Sequence, residues 1–180
     1  METQTLRWRI KVWLLLFIIG LLISGLTAFP LEWELKTLYN LITDSNSPLP
    51  ALWPELVNWI ALVSTGLQDT YRRYPFMAYG TDWLAFAHIV IAVAFLGPLK
   101  DPVRNIWVVE FGMIACVLVV PLALIFGPIR GIPFFWRLID CAFGIFGIIP
   151  LWICRRAILR LEALERRLGT IEQGAEEIGE

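Results

Sequence analysis

The sequence predicts an all-α, polytopic membrane protein with four transmembrane helices, outer interfacial helices and a cytoplasmic C-terminal helix. Three observations carry that prediction. Apolar residues make up 58% of the 180-residue chain, against about 45–50% in an ordinary soluble domain. The excess is gathered into four blocks with few or no charges, each long enough to cross a hydrocarbon core of about 30 Å. The basic residues, twelve Arg and three Lys, stand at the ends of those blocks.

The first block, 12–29, lies between Lys11 and Pro30 and carries no charge. Arg7, Arg9 and Lys11 before it resemble the basic start of a signal peptide. The apolar run is long for that role, however, and Leu26 fits a cleavage site poorly, so a retained helix is expected. The second block, 82–99, follows Gly80, with Thr81 as its expected N-cap, and ends at Gly97-Pro98. The third, 103–126, opens on Asp101-Pro102 as N-cap and N1 proline and stops at Gly127-Pro128. Pro121 removes one helical hydrogen bond there, freeing the carbonyl of Val117, so a kink is expected. The fourth, 133–153, opens on Pro133 and closes at Arg155-Arg156. Trp13, Trp83, Trp107, Trp136 and Trp152 all fall near block ends, where an aromatic belt belongs.

Orientation follows from the excess of Lys and Arg on the cytoplasmic side. With the N-terminus inside, ten basic residues fall on the inner side and five on the outer side. Three of those five lie in a long loop, where the rule is weak. Both termini are therefore expected in the cytoplasm. The short basic ends and the lack of an organelle-type leader point to a bacterial inner membrane. Residues 1–153 form the expected membrane domain and 154–180 the expected cytoplasmic tail.

The outer segment, 30–80, is not simply polar. Leu31, Leu35, Leu38 and Ile42 recur at helical spacing, and so do Leu56, Trp59, Ile60, Val63 and Leu67 after Pro54. Two amphipathic helices are expected, lying on the outer leaflet or packed over the bundle. The basic pair Arg72 and Arg73 stands between Tyr71 and Tyr74, a pattern suited to an interfacial anchor or to headgroup or anion contact.

Ionisable residues inside a membrane are expensive and usually face protein. Asp82, His88, Glu110 and Asp140 are the four here. His88 lies roughly 9 Å and Asp140 about 10 Å below the same boundary, at 1.5 Å per residue. Each shares a face with small residues: Thr81, Ala85 and Ala92 for His88, Gly144 and Gly147 for Asp140. Such stripes mark close helix contacts, so the two groups are expected at one level and able to meet. Arg137, three residues before Asp140, competes for that acid. Glu110 is expected to snorkel or to pair with Arg104.

The tail carries Ala157, Leu161, Leu164, Leu168, Ile171, Ala175 and Ile178 at alternating spacings of four and three. That is a heptad seam, with Leu161, Leu164, Leu168 and Ile171 as its centre. Arg160 and Arg167 fall at g positions, and Glu165 and Glu172 at e positions, as a parallel dimer would use. Gly169 and Gly174 weaken it.

Cys116, Cys141 and Cys154 all lie in or at the end of apolar blocks without zinc spacing and read as packing residues. No nucleotide-binding, hydrolase or metalloprotease motif is present. No basic face for nucleic acid is present either, and no metal or cofactor is expected. The expected role is non-enzymatic: an accessory, assembly or scaffolding subunit in the bilayer, self-associating as a homodimer or bound to another membrane protein. One rival is a transport or proton-conducting bundle built on His88 and Asp140. Another is a redox subunit holding haem or quinone. A single histidine cannot supply two axial ligands, so haem would need a symmetric dimer or an axial Met, Met113 or Met77.

The orientation is open to reporter fusions. Green fluorescent protein fused after residue 180 is expected to fluoresce, and alkaline phosphatase inserted after Asn46 to be active. The opposite pattern would invert the topology.

Overall fold

A computed structural model describes residues 2–179, with side chains through Ile171 and at Gln173. The side chains of Glu172, Ala175 and Ile178, counted in the heptad, lie outside the described residues. Within the described residues the regular structure is all helix, without strands. The helices are α1 (Glu2–Ala28), α2 (Leu31–Ile42), α3 (Leu49–Leu52), α4 (Pro54–Arg73), α5 (Ala78–Ala94), α6 (Leu96–Lys100), α7 (Ile106–Ile129) and α8 (Phe134–Gly179), with a 3-10 turn at Pro75–Met77. Four segments are long and apolar enough to cross a membrane: Glu2–Ala28, Pro75–Lys100, Ile106–Ile129 and Phe134–Ile171. Only 22% of the most apolar window in each is buried. The rest is apolar surface that water would penalise and lipid would not.

The chain forms two compact units. The first comprises Met1–Gly20 and Ala92–Glu180, the second Leu21–Ile91.

In the first unit, Leu6, Ile10, Leu14 and Ile18 of α1 are buried at a spacing of four residues. This stripe runs through the basic stretch before residue 12, which is why the helix starts earlier than the charge pattern implies. Arg7 and Arg9 point away from it and stay exposed. Phe17 meets Phe95 with ring centroids 4.8 Å apart. Phe95 is fully buried and lies over Gly112 of α7 beside Leu151 of α8.

The hairpin of α7 and α8 forms most of this unit. A Cβ on Gly144 would strike the backbone carbonyl of Cys116, and one on Gly147 would stand 2.9 Å from the Cys116 sulfur. The two backbones thus approach closely where the sequence places a small-residue stripe. The α7 helix does not stop at Gly127-Pro128 as expected. It continues to Ile129 and ends at Gly131, the one described residue with positive φ. Ile132 N–H donates to Gly127 O, and Gly131 N–H to Pro128 O. That is a Schellman motif, which needs a left-handed residue at the position Gly131 holds. Pro133 then opens α8. The hairpin turn is short, so α7 and α8 are antiparallel neighbours.

The start of α7 is also corrected, from 103 to Ile106. Asp101 Oδ1 accepts the Arg104 N–H, as the expected cap would, but only closes a turn. Asn105 donates from Nδ2 to the carbonyls of Gly97 and Asp101, satisfying the end of α6. The helix proper begins only beyond it. Both α7 and α8 continue through internal prolines, Pro121 and Pro128 in one and Pro150 in the other.

In the second unit, Gly25 of α1 packs on α5. A Cβ there would lie 3.0 Å from both the Ala85 carbonyl and the His88 Cβ. α2 and α4 pack on each other. Ile42 of α2 and Ile60 of α4 are buried on the faces read from the sequence, with Leu31, Leu35, Leu56, Trp59, Val63 and Leu67 half-buried beside them, whereas Leu38 of the same expected face is exposed. Pro54 opens α4 at N1, and the helix runs on to Arg73. Two threonines donate back to carbonyls four residues earlier, Thr37 to Trp33 and Thr43 to Tyr39. α5 begins at Ala78, three residues before the expected cap. Thr81 therefore lies inside it and donates to the Ala78 carbonyl. With that hydrogen committed, Tyr71 donates to the Thr81 oxygen at 3.1 Å.

The hairpin packing predicts a contrast between two glycines. Gly144→Leu is expected to cost about 1–3 kcal/mol or to block folding, since it overpacks a backbone contact. Gly20→Leu, with nothing within 4 Å of its Cβ, is expected to be near neutral. Thermal unfolding of the detergent-purified variants checks both, and equal melting points would refute the packing.

Candidate functional site

The charged residues of the first unit gather where α1 begins and where the apolar part of α8 ends. Arg155 donates from Nε to Glu110 Oε1 at 2.8 Å, joining α8 to α7. This replaces the expected partner Arg104. Glu110 lies about as far before the α7–α8 turn as Arg155 lies after it, so the antiparallel hairpin brings the two to one level. The side chains are 38% and 42% exposed. Arg7 of α1 reaches Glu165 of α8 at 2.6 Å. Within α8, Arg166 pairs with Glu162 one turn earlier.

α8 does not break at residue 153. It continues as one helix into the tail, and its buried stripe continues with it through Leu151, Cys154, Ile158 and Leu161. Leu161 is 0% exposed within a single chain. That corrects its place in the expected seam between chains: its contacts are made inside the monomer, beside the segment that Arg7 fastens. Leu164 is half-buried. Leu168 and Ile171 are 51% and 66% exposed and remain open to a partner.

The polar residues within the candidate spans divide between the two units. In the second unit, His88 is half-buried on α5, and its Nδ1 lies 2.8 Å from the Leu84 carbonyl. A carbonyl only accepts, so Nδ1 carries the hydrogen in that contact. Asp82 is half-buried one and a half turns earlier. In the first unit, Asp140 is half-buried on α8. Arg137 does not pair with it. The Arg137 stem lies in the notch left by Gly127, and its guanidinium stands 5.1 Å from the centre of the Phe134 ring. Its Nε is buried without a hydrogen-bond partner. The stem follows the N-terminal tilt that helical side chains adopt, toward Phe134 and away from Asp140.

At the C-terminal end of α4, Arg73 is held by Asp69 at 2.9 Å across one turn, and Arg72 is exposed. Two cations there suit the negative end of the helix dipole.

Among the described residues no three His, Cys, Asp or Glu side chains converge as metal ligands would. The arrangement can hold helices in register by charge and can present an ordered helix beyond the apolar segment. No family model, curated protein or solved structure matches this chain. Reading the sequence alone missed both long-range ion pairs. A depth count along the hairpin would have found Glu110 with Arg155. No local spacing announces Arg7 with Glu165.

An ion pair this exposed contributes about 0.2–1 kcal/mol in water. A double-mutant cycle on Glu110→Gln and Arg155→Gln is expected to give a coupling energy of about 1 kcal/mol, near the top of that range because the pair is partly buried. Additive effects of the two substitutions would show the pair to be idle.

Proposed function

We propose that this chain is a small multi-pass membrane protein that works by association: a non-enzymatic accessory, assembly or scaffolding subunit. In this reading both termini lie in the cytoplasm of a bacterial cell. The α2–α4 layer lies on the outer face of the inner membrane, and the end of α8 reaches a second copy or another membrane protein.

The observation that carries the reading is the continuity of α8. Its 46 residues extend for about 69 Å at 1.5 Å per residue, more than twice the hydrocarbon thickness. The part beyond the span is fastened at its base by the buried Ile158 and Leu161 and by the Arg7–Glu165 pair. It then exposes Leu168 and Ile171 on the surface that continues the heptad. A helix held at its base and apolar near its tip suits docking better than catalysis. Preorganisation of this kind lowers the entropy lost when a partner binds.

The two halves of the heptad should respond differently to substitution. Leu168→Asp with Ile171→Asp is expected to abolish association while leaving the melting point nearly unchanged. Leu161→Ala is expected to destabilise the single chain by about 2–5 kcal/mol, as loss of a buried leucine does. Light-scattering chromatography and thermal unfolding in detergent read the two effects separately. A complex that survives both aspartates would remove the tip of α8 as the contact.

A further inference from the structure

Five arginines follow the apolar part of α8, and they divide by face. Arg155 and Arg166 are paired with Glu110 and Glu162. Arg156, Arg160 and Arg167 are exposed, and none has a carboxylate within ion-pair distance among the described residues. At 100° per residue these three lie within a narrow arc that also holds Trp152. That arc is opposite the buried stripe of Cys154, Ile158 and Leu161. The acids of this stretch, Glu162 and Glu165, point elsewhere and are engaged. On that face of α8 the charged residues of this stretch are therefore all cations, just where the helix leaves its apolar segment.

The side chains also have a direction. Those on a helix lean toward its N-terminus, which for α8 means back toward the apolar segment. Arg156 does so: its guanidinium lies over the Trp152 ring at 4.5 Å from the centroid. Arg160 stands one turn later on the same face, and the general tilt of helical side chains directs it back toward the same level. The apolar run ends near Ile153, so the Arg156 Cα lies about 4–5 Å and the Arg160 Cα about 10–11 Å beyond it. Headgroups occupy roughly 5–8 Å beyond the hydrocarbon edge, within reach of both guanidinium groups once the lean is counted. Arg167 lies about 21 Å out, beyond that layer.

We infer that Arg156 and Arg160 form a binding site for the phosphate of an anionic phospholipid, with Trp152 as its apolar floor. The chemistry is a pair of guanidinium forks offering planar donors to phosphate oxygens, beside an indole of the kind that settles at headgroup depth. An acidic protein segment lying along α8 would use Arg167 as fully as the other two. A lipid would not reach it. The inference rests on the reading of α8 as a membrane span.

Native mass spectrometry of the full chain in detergent tests it, with phosphatidylglycerol titrated against phosphatidylcholine. The wild-type chain is expected to retain phosphatidylglycerol preferentially. The double variant Arg156→Gln/Arg160→Gln is expected to bind it roughly tenfold to thirtyfold more weakly. Arg160→Gln alone should show part of that loss, and Arg167→Gln none. Excess inorganic phosphate should leave the lipid in place. Unchanged lipid preference in the double variant overturns the site. An equal loss in Arg167→Gln overturns it in favour of an extended face for an acidic protein, and displacement by phosphate in favour of a free-anion site. Carbonate extraction of membranes reads the span itself. A chain released by carbonate overturns the span and the site together, whereas a retained chain with unchanged preference overturns the site alone.

Discussion

The first unit depends on how closely two backbones approach in the α7–α8 hairpin. At Gly144 the α8 backbone comes so near the Cys116 carbonyl that no side chain fits between them. In lipid, apolar side chains gain little by leaving one apolar surrounding for another, so packing and shape must hold the helices together. Gly112, Gly127, Gly144 and Gly147 supply that shape along the hairpin. Gly131 supplies the left-handed turn that sends the chain back. Once the hairpin is set, its depth fixes which residues of α7 and α8 share a level. The Glu110–Arg155 pair is a product of that register.

The ionic contacts of the first unit concentrate away from the hairpin turn, where the apolar segments give way to charge. There a polar bond can be made without the full cost of placing charge in hydrocarbon. Arg7 with Glu165 joins the first helix to the last and Glu110 with Arg155 joins the two arms of the hairpin, whereas Arg166 with Glu162 stays within one turn. Toward the turn, the polar group of α8 is handled differently. Arg137 lays its stem over Gly127 and its head over an aromatic ring. A cation there is accommodated by shape and by the ring quadrupole rather than by a carboxylate.

Several features were legible in the residues because local physics decides them. Pro54 opens α4, and Pro133 precedes the first residue of α8. The buried faces of α2 and α4 follow their 3.6-residue period. The Gly144–Gly147 stripe marks a true close contact. What escaped the sequence depends on matching distant segments. Thr81 looked like a cap because it follows a glycine, but the helix had already begun at Ala78. Leu161 looked like a seam residue because it fits a heptad, yet the same spacing serves a face buried within one chain. A heptad pattern cannot say which neighbour fills it. The start of α1 was hidden because three cations interrupt a stripe that Leu6, Ile10, Leu14 and Ile18 carry through on the other side. The candidate polar groups His88 and Asp140 were easy to find as exceptions to apolarity. The contact of His88 with Gly25 of α1 was not written in any spacing.

The unbroken course of α8 has a mechanical consequence. A flexible joint at the bilayer edge would absorb any movement of the buried segment. A continuous helix passes that movement on. The 26 residues from Cys154 to Gly179 measure about 39 Å, so a tilt of about 10° displaces the tip by about 7 Å. Transmembrane helices tilt in response to bilayer thickness. With α8 spanning a bilayer, as proposed, a tilt of the span would carry over to the tip as a lateral displacement.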